Sequence, residues 1–179
     1  MVEKFERLDR ELAYSAIRIN IYRDKLKTPD GKIVNWDHID HPGAAAVVPV
    51  TDDGKLLLVN QYRNSVDRIT LEIPAGRRDS LEEEFITCAS RELEEETGYR
   101  SDNLEFLVSI NPEIAFCNER IDVFVAKDLK PAKQNLDPDE FIDVKACSIE
   151  ELTEMIFAGK IQDSKTMAAV LAYKDKYCH

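Results

Sequence analysis

Residues 15–26 alternate apolar and polar positions, with Ile17, Ile19 and Ile21 set against Arg18, Asn20 and Tyr22, the two-residue period of a strand with one covered face. Pro29-Asp30-Gly31 carries a turn signal, so 32–39 predicts the returning strand of an N-terminal hairpin, while 3–12 predicts a short helix or a loose segment. Beyond His41-Pro42-Gly43, residues 44–50 are continuously apolar and β-forming, Thr51-Asp52-Asp53-Gly54 turns the chain, and 55–62 predicts the next strand. A strand around 71–73 enters Pro74-Ala75-Gly76. The period then changes to 3.6, and 81–97 predicts a helix ended by Gly98, a natural residue just past a helix C-terminus. Further strands are predicted at 104–110, 120–126 and 141–146. Ser148 with Glu151 reads as a capping box for a helix to 157, and Asp163 as the cap of a last helix to 177. This order of elements predicts an α/β sandwich.

One helix breaks its own pattern. Projected at 100° per residue, Phe85, Ile86, Cys88, Ala89 and Leu93 share an arc that also holds Glu92 and Glu96, while Glu94 points the opposite way. Two glutamates four residues apart repel by a few tenths of a kcal/mol even in water. Partly buried, they need a partner or a metal ion. An acidic run is ordinarily a solvated face, but the apolar arc argues that these two carboxylates turn inward.

At 179 residues the chain holds one domain with a substantial core and room for a small appendage. With 44% hydrophobic and 33% charged residues it is globular in composition. The absence of a long apolar run excludes a membrane span, and the charged N-terminus lacks a signal peptide's apolar core, so the cytoplasm is the expected compartment. Cys88, Cys117, Cys147 and Cys178 are widely spaced and predict neither zinc ligation nor a disulfide framework. His38, His41 and His179 are scattered and predict surface or turn roles. A net charge of −11 argues against a nucleic-acid partner and requires that an anionic substrate be met by metal ions and local arginines.

The segment GRRDSLEEEFITCASRELEEETGY, residues 76–99, resembles the Nudix box. Arg91, Glu92, Leu93, Glu95, Glu96, Gly98 and Tyr99 match its second half, whereas six residues instead of five separate Gly76 from Glu83, an insertion expected in the loop before the helix. The resemblance extends beyond the box to the ADP-ribose pyrophosphatase branch. It rests there on Asn60-Gln61-Tyr62-Arg63, on Leu71-Glu72-Ile73-Pro74-Ala75-Gly76, and on Asp30-Gly31-Lys32 followed by His41-Pro42-Gly43. It implies a Nudix-type α/β/α sandwich of mixed sheet with an N-terminal β-hairpin extension. Residues 1–42 would form the extension, used for homodimerisation and the nucleoside pocket, and 43–179 the hydrolase domain.

The implied chemistry is magnesium-dependent hydrolysis, with manganese as the alternative ion, of the pyrophosphate bond of ADP-ribose or a related nucleotide sugar. Glu92, Glu96 and the backbone carbonyl of Ala75 are the implied metal ligands. Glu95 is a further ligand or a group bonded to the ligands, and Arg91 orients the glutamates. Glu140, in the loop Asn135-Leu136-Asp137-Pro138-Asp139-Glu140, is the implied general base, with a solvated acidic loop as the alternative. Arg63 is assigned to phosphate or ribose oxygens, or else to a surface ion pair. Trp36, the only tryptophan, is assigned to adenine stacking, or else to packing. A proline common in ADP-ribose enzymes about fifteen residues after the box is Ile114 here, with Pro112 nearby, and neither Glu113 nor Glu119 receives a role. GDP-mannose or another nucleotide sugar is the alternative substrate. A nucleotide sensor without catalysis is the alternative class, disfavoured because the metal glutamates are kept.

Overall fold

Strands β1 (Glu6–Ser15), β2 (Asn20–Lys27) and β3 (Ile33–Asp40) make a separate antiparallel sheet in that order. The computed structural model describes residues 2–17 and 19–178, so Arg18 of the predicted alternation and His179 lie outside the described residues. The β2–β3 turn passes through Gly31, whose φ of 87° suits a residue without Cβ. Two expectations are corrected here. Of residues 3–12, 6–12 are strand and belong to β1 while 3–5 lie outside any element, so the predicted hairpin gains a third strand. Pairing outweighs local propensity, because β1 gains a backbone ladder along β2 and Arg10 grips buried Asp24 with two hydrogen bonds of 2.6 Å. The strand predicted from 15 begins only at Asn20, since the chain turns there: the Ala16 N–H donates to the Ile19 carbonyl at 2.9 Å, and Ile17 is exposed.

The main body holds β4 (Ala44–Pro49), β5 (Leu56–Arg63), β6 (Arg68–Glu72), β7 (Ala75–Arg77), α1 (Phe85–Thr97), β8 (Tyr99–Arg100), β9 (Asn103–Ile110), β10 (Ile121–Lys127), β11 (Lys130–Pro131), β12 (Ile142–Cys147), α2 (Ile149–Phe157) and α3 (Ser164–Tyr177). A mixed sheet runs β7-β4-β10-β9, with β4 and β10 parallel and the other pairs antiparallel. A second, antiparallel sheet runs β12-β5-β6, and β8 and β11 form a short ladder.

Strand β4 is apolar at every position because both of its faces are covered. Ala46 and Val48 join Val123 and Val125 in a core with Leu152 and Ile156 of α2 and Ala169 and Val170 of α3. Ala45 and Val47, one residue out of phase, join Phe124, Cys88, Ala89 and Leu93 against α1. The result is the expected α/β/α sandwich.

Helix α1 starts four residues later than predicted. Arg78 donates to the carbonyls of Leu81 and Glu83 at 2.5 Å and of Pro42 at 2.9 Å, and Ser80 Oγ accepts from the N–H groups of Glu82 and Glu83, which holds 81–84 as a turn. The first bond of the helical ladder runs from the Cys88 N–H to the Glu84 carbonyl. Ile86, placed on the inward arc by projection, is exposed beside this late start. At the other end Gly98 is left-handed at φ 71° and its N–H returns to the Glu94 carbonyl, as expected. The capping box of α2 and the Asp163 cap of α3 are both present.

Candidate active site

The Pro74-Ala75-Gly76 turn brings β7 onto α1 and sets the glutamates. Glu96 Oε2 accepts the Ala75 N–H at 3.0 Å. Glu92 lies so close under Gly76 that a Cβ there would fall on its carboxylate, which explains the glycine by close approach. Both glutamates are buried, and Glu94 is exposed, as projection predicted. Burial, with Arg91 opposing it and Glu95 and Glu140 adding to it, pushes the Glu92 carboxyl up to about 7. Burial and then the charge of Glu92 push Glu96 up to about 8, with Glu140 contributing again.

Arg91 supplies the nearest positive charge. Its Nη1 donates to Glu92 at 2.6 Å and Glu95 at 2.9 Å, and its Nε donates to Glu83 at 3.2 Å. One guanidinium thus holds three box carboxylates, and they keep it protonated against its burial. Glu83 is drawn into this group in spite of the extra residue before it. Beneath them Cys88 is a buried thiol pushed up to about 12 by desolvation, which makes it a packing group and not a nucleophile. Among the described residues no three acidic, histidine or cysteine side chains already converge as a metal-ligand set.

The helix glutamates Glu92, Glu95 and Glu96 and Arg91 open on one cleft of about 1100 Å³. Ala75, Glu92, Glu95, Glu96, Arg91, Glu140 and Arg63 all line it, whereas Trp36 does not. Trp36 stands half exposed on β3 with its ring 5.2 Å from that of Phe5. Glu140 sits at the cleft edge, accepting the Asp137 N–H at 3.2 Å. Arg63 reaches the cleft but turns its Nε and Nη2 onto Glu72 at 2.8 Å each. Of the region after the box, Pro112 and Glu119 line the cleft and Ile114 is exposed outside it. His41 also lines it in a turn role, its Nδ1 accepting the Gly43 N–H at 3.1 Å.

Residues 40–170 match the model of the NUDIX domain. The chain belongs to the Nudix family. Its relatives include an "ADP-ribose pyrophosphatase" of Bacillus subtilis (strain 168), 36% identical over 163 residues that cover 90% of this chain and 88% of that protein. A "Methanol dehydrogenase activator" of Bacillus methanolicus is 37% identical over 162 residues, covering 89% of this chain and 87% of that protein. An "ADP-ribose pyrophosphatase" of Mycobacterium tuberculosis (strain ATCC 25618 / H37Rv) is 31% identical over 170 residues, covering 94% of this chain and 82% of that protein. A solved "ADP compounds hydrolase" superposes with a TM-score of 0.86 at 19% identity, covering 98% of this chain and 95% of that one, a likeness of fold.

The Nudix cleft also contains residues that the sequence did not offer. Glu72 is 3% exposed yet bonded to Arg63, Thr70 and Lys165, and Lys165 comes from the start of α3. Burial would raise the Glu72 carboxyl, but Arg63 and Lys165 outweigh it and hold it down at about 2. Lys165 carries one legible signal, a cation in the first turn of a helix, where the dipole disfavours it. No helix among the described residues is long and apolar enough to cross a membrane.

Proposed function

We propose that this Nudix protein hydrolyses the pyrophosphate bond of ADP-ribose or a related nucleotide sugar, giving AMP and ribose 5-phosphate from ADP-ribose. The observation that carries the reading is the buried Glu92–Glu96 pair, two desolvated carboxylates opening on a cleft. The relatives' names bear on which substrate fills that cleft.

The donor set fits a hard divalent cation: carboxylate oxygens, a backbone carbonyl and room for water and phosphate oxygens. Glu92, Glu96 and the Ala75 carbonyl would hold it, with Glu95 beside them. When bound, a magnesium ion, or manganese, supplies positive charge to the phosphoryl oxygens and lowers the pKa of water.

The chain's own groups divide the remaining work. Arg91 orients Glu92 and Glu95 through its hydrogen bonds. Glu140 accepts the proton of the attacking water as its oxygen bonds to phosphorus and the bond from that phosphorus to the bridging oxygen breaks. A positioned base contributes about 10²–10⁴-fold. Arg63 meets a phosphate group of the substrate. Trp36 lies outside its own cleft, so its stacking on adenine belongs to a homodimer in which residues 1–42 reach the cleft of a second copy.

The test is a hydrolysis panel of ADP-ribose, GDP-mannose, NADH and dinucleoside polyphosphates, with and without magnesium, on the full chain and on residues 43–179. The full chain should cleave ADP-ribose only with metal and sediment as a dimer, whereas the truncated chain should be monomeric and lose nucleoside affinity. Metal-independent cleavage or no cleavage of any nucleotide sugar would overturn the reaction. A truncated chain of full activity would overturn the dimer's role.

A further inference from the structure

Buried Glu72 is held by more positive charge than its own charge requires. Arg63 covers both of its oxygens, Thr70 donates to Oε1 at 2.6 Å, and Lys165 donates to Oε2. The two cations differ in freedom. Lys165 has a side chain 11% exposed and is fixed from behind by Asp163 at 3.0 Å, which also accepts the Thr166 N–H as the cap of α3. Both cations line the cleft, but the Arg63 side chain is 39% exposed and, among the described residues, has no second carboxylate besides Glu72 in an ion pair with it.

A phosphate that recruits Arg63 must draw its guanidinium off Glu72. Stripping the only cation from a buried carboxylate is strongly unfavourable, since the charge is left uncompensated. With Lys165 in place the carboxylate keeps a partner. We propose that Lys165 is a positioning residue that serves as the standing counter-ion of Glu72, so that Arg63 is free to exchange Glu72 for a phosphate of the substrate. The inference rests on the reading of a diphosphate substrate. Its mechanism is a swap of partners: Arg63 leaves Glu72 and bonds phosphate oxygens, and the ammonium of Lys165 stays behind with Glu72.

The test uses binding and not turnover, so a failure of the hydrolysis reading remains separable. The probe is α,β-methylene-ADP, whose phosphate bridge cannot be hydrolysed, titrated calorimetrically in magnesium. Lys165→Met should weaken it about tenfold, the equivalent of about 1.4 kcal/mol, and Lys165→Arg should bind as the unaltered protein does. In an Arg63→Ala background Lys165→Met should cause no further loss. Adding Glu72→Gln to Lys165→Met should restore affinity, because a neutral amide no longer pins Arg63. A purely structural Lys165 would instead lose affinity equally with and without Arg63. Unchanged affinity in Lys165→Met, an equal loss with and without Arg63, or no rescue by Glu72→Gln would each overturn the proposal. If Lys165→Met does not fold, Lys165→Gln, which keeps a donor without the charge, is judged by the same results.

Discussion

Glu72 and Glu96 line the same cleft at nearly equal depth, 3% and 4% exposed, yet burial ends in opposite outcomes. Glu72, between Arg63 and Lys165, is held down at about 2, whereas Glu96, beside another carboxylate and a single backbone N–H, is driven up to about 8. Desolvation acts on both. The difference lies in whether the fold supplies its own cation, so one wall of the cleft is electrostatically complete and the other is, on the proposed function, the wall that receives charge from outside.

The sharpest way to break this contrast is to neutralise the wall of Glu96. Glu96→Gln should lower magnesium-dependent turnover by about 10³-fold, since it removes a group asked to supply several kcal/mol of charge stabilisation. The fold should persist, as judged by circular dichroism, and Glu94→Gln on the solvent face should leave turnover within about twofold. Near-normal activity of Glu96→Gln would sink the metal assignment.

The same contrast predicts two pH limbs of the metal-free protein's stability, readable as Tm against pH in chelator. Glu72 is depressed from its ordinary 4.5, so its stabilisation is present above that value and is lost as pH falls toward about 2. Glu92 and Glu96 are raised, so the folded state binds more protons than the unfolded one between 4.5 and about 7 to 8, and stability falls as pH rises through that window. A tenfold change in a carboxyl's proton affinity on folding corresponds to about 1.4 kcal/mol. Magnesium should flatten the upper limb and leave the lower one alone; a Tm that rises from pH 5 to 8 in chelator would contradict the assignment.

The smallest expected effect sharpens the receiving wall. Gly76→Ala pushes a Cβ onto the Glu92 carboxylate without demanding an unusual backbone angle. It should weaken magnesium binding about tenfold with little change in Tm, a loss typical of displaced groups around a metal site. Unaltered magnesium affinity by titration would show that Glu92 does not need its position under Gly76.

What could be read in the sequence follows from the range of the interaction. Glu92 inward and Glu94 outward were legible because helical projection is a local rule, and β4 was legible as a strand because its apolar, β-forming run is continuous. The start of α1 was misplaced because 81–84 are acceptable helix residues whose backbone is claimed by Arg78 and Ser80, a competition invisible to propensity. Strand β1 was missed because its residues are almost all exposed and its stability comes from pairing with β2. The segments β7, β8 and β11, of two or three residues, are too short to show a period. Arg63, Glu72 and Lys165 meet across 9 and 93 positions of sequence, so the chain could suggest Arg63 but not the company it keeps.

The Arg78 staple has a consequence for change in this protein. Its guanidinium ties Pro42, Leu81 and Glu83 together, so the loop that holds the extra residue is closed at its base before α1 begins. The tip is tied to the same cluster: the Asp79 N–H donates to Glu83 Oε2 at 2.7 Å, Ser80 Oγ accepts the Glu83 N–H, and Glu83 is bonded to Arg91. A change of length around Asp79 and Ser80 is therefore felt at the glutamates through Glu83 and Arg91, and a tag or a reporter belongs elsewhere on the surface.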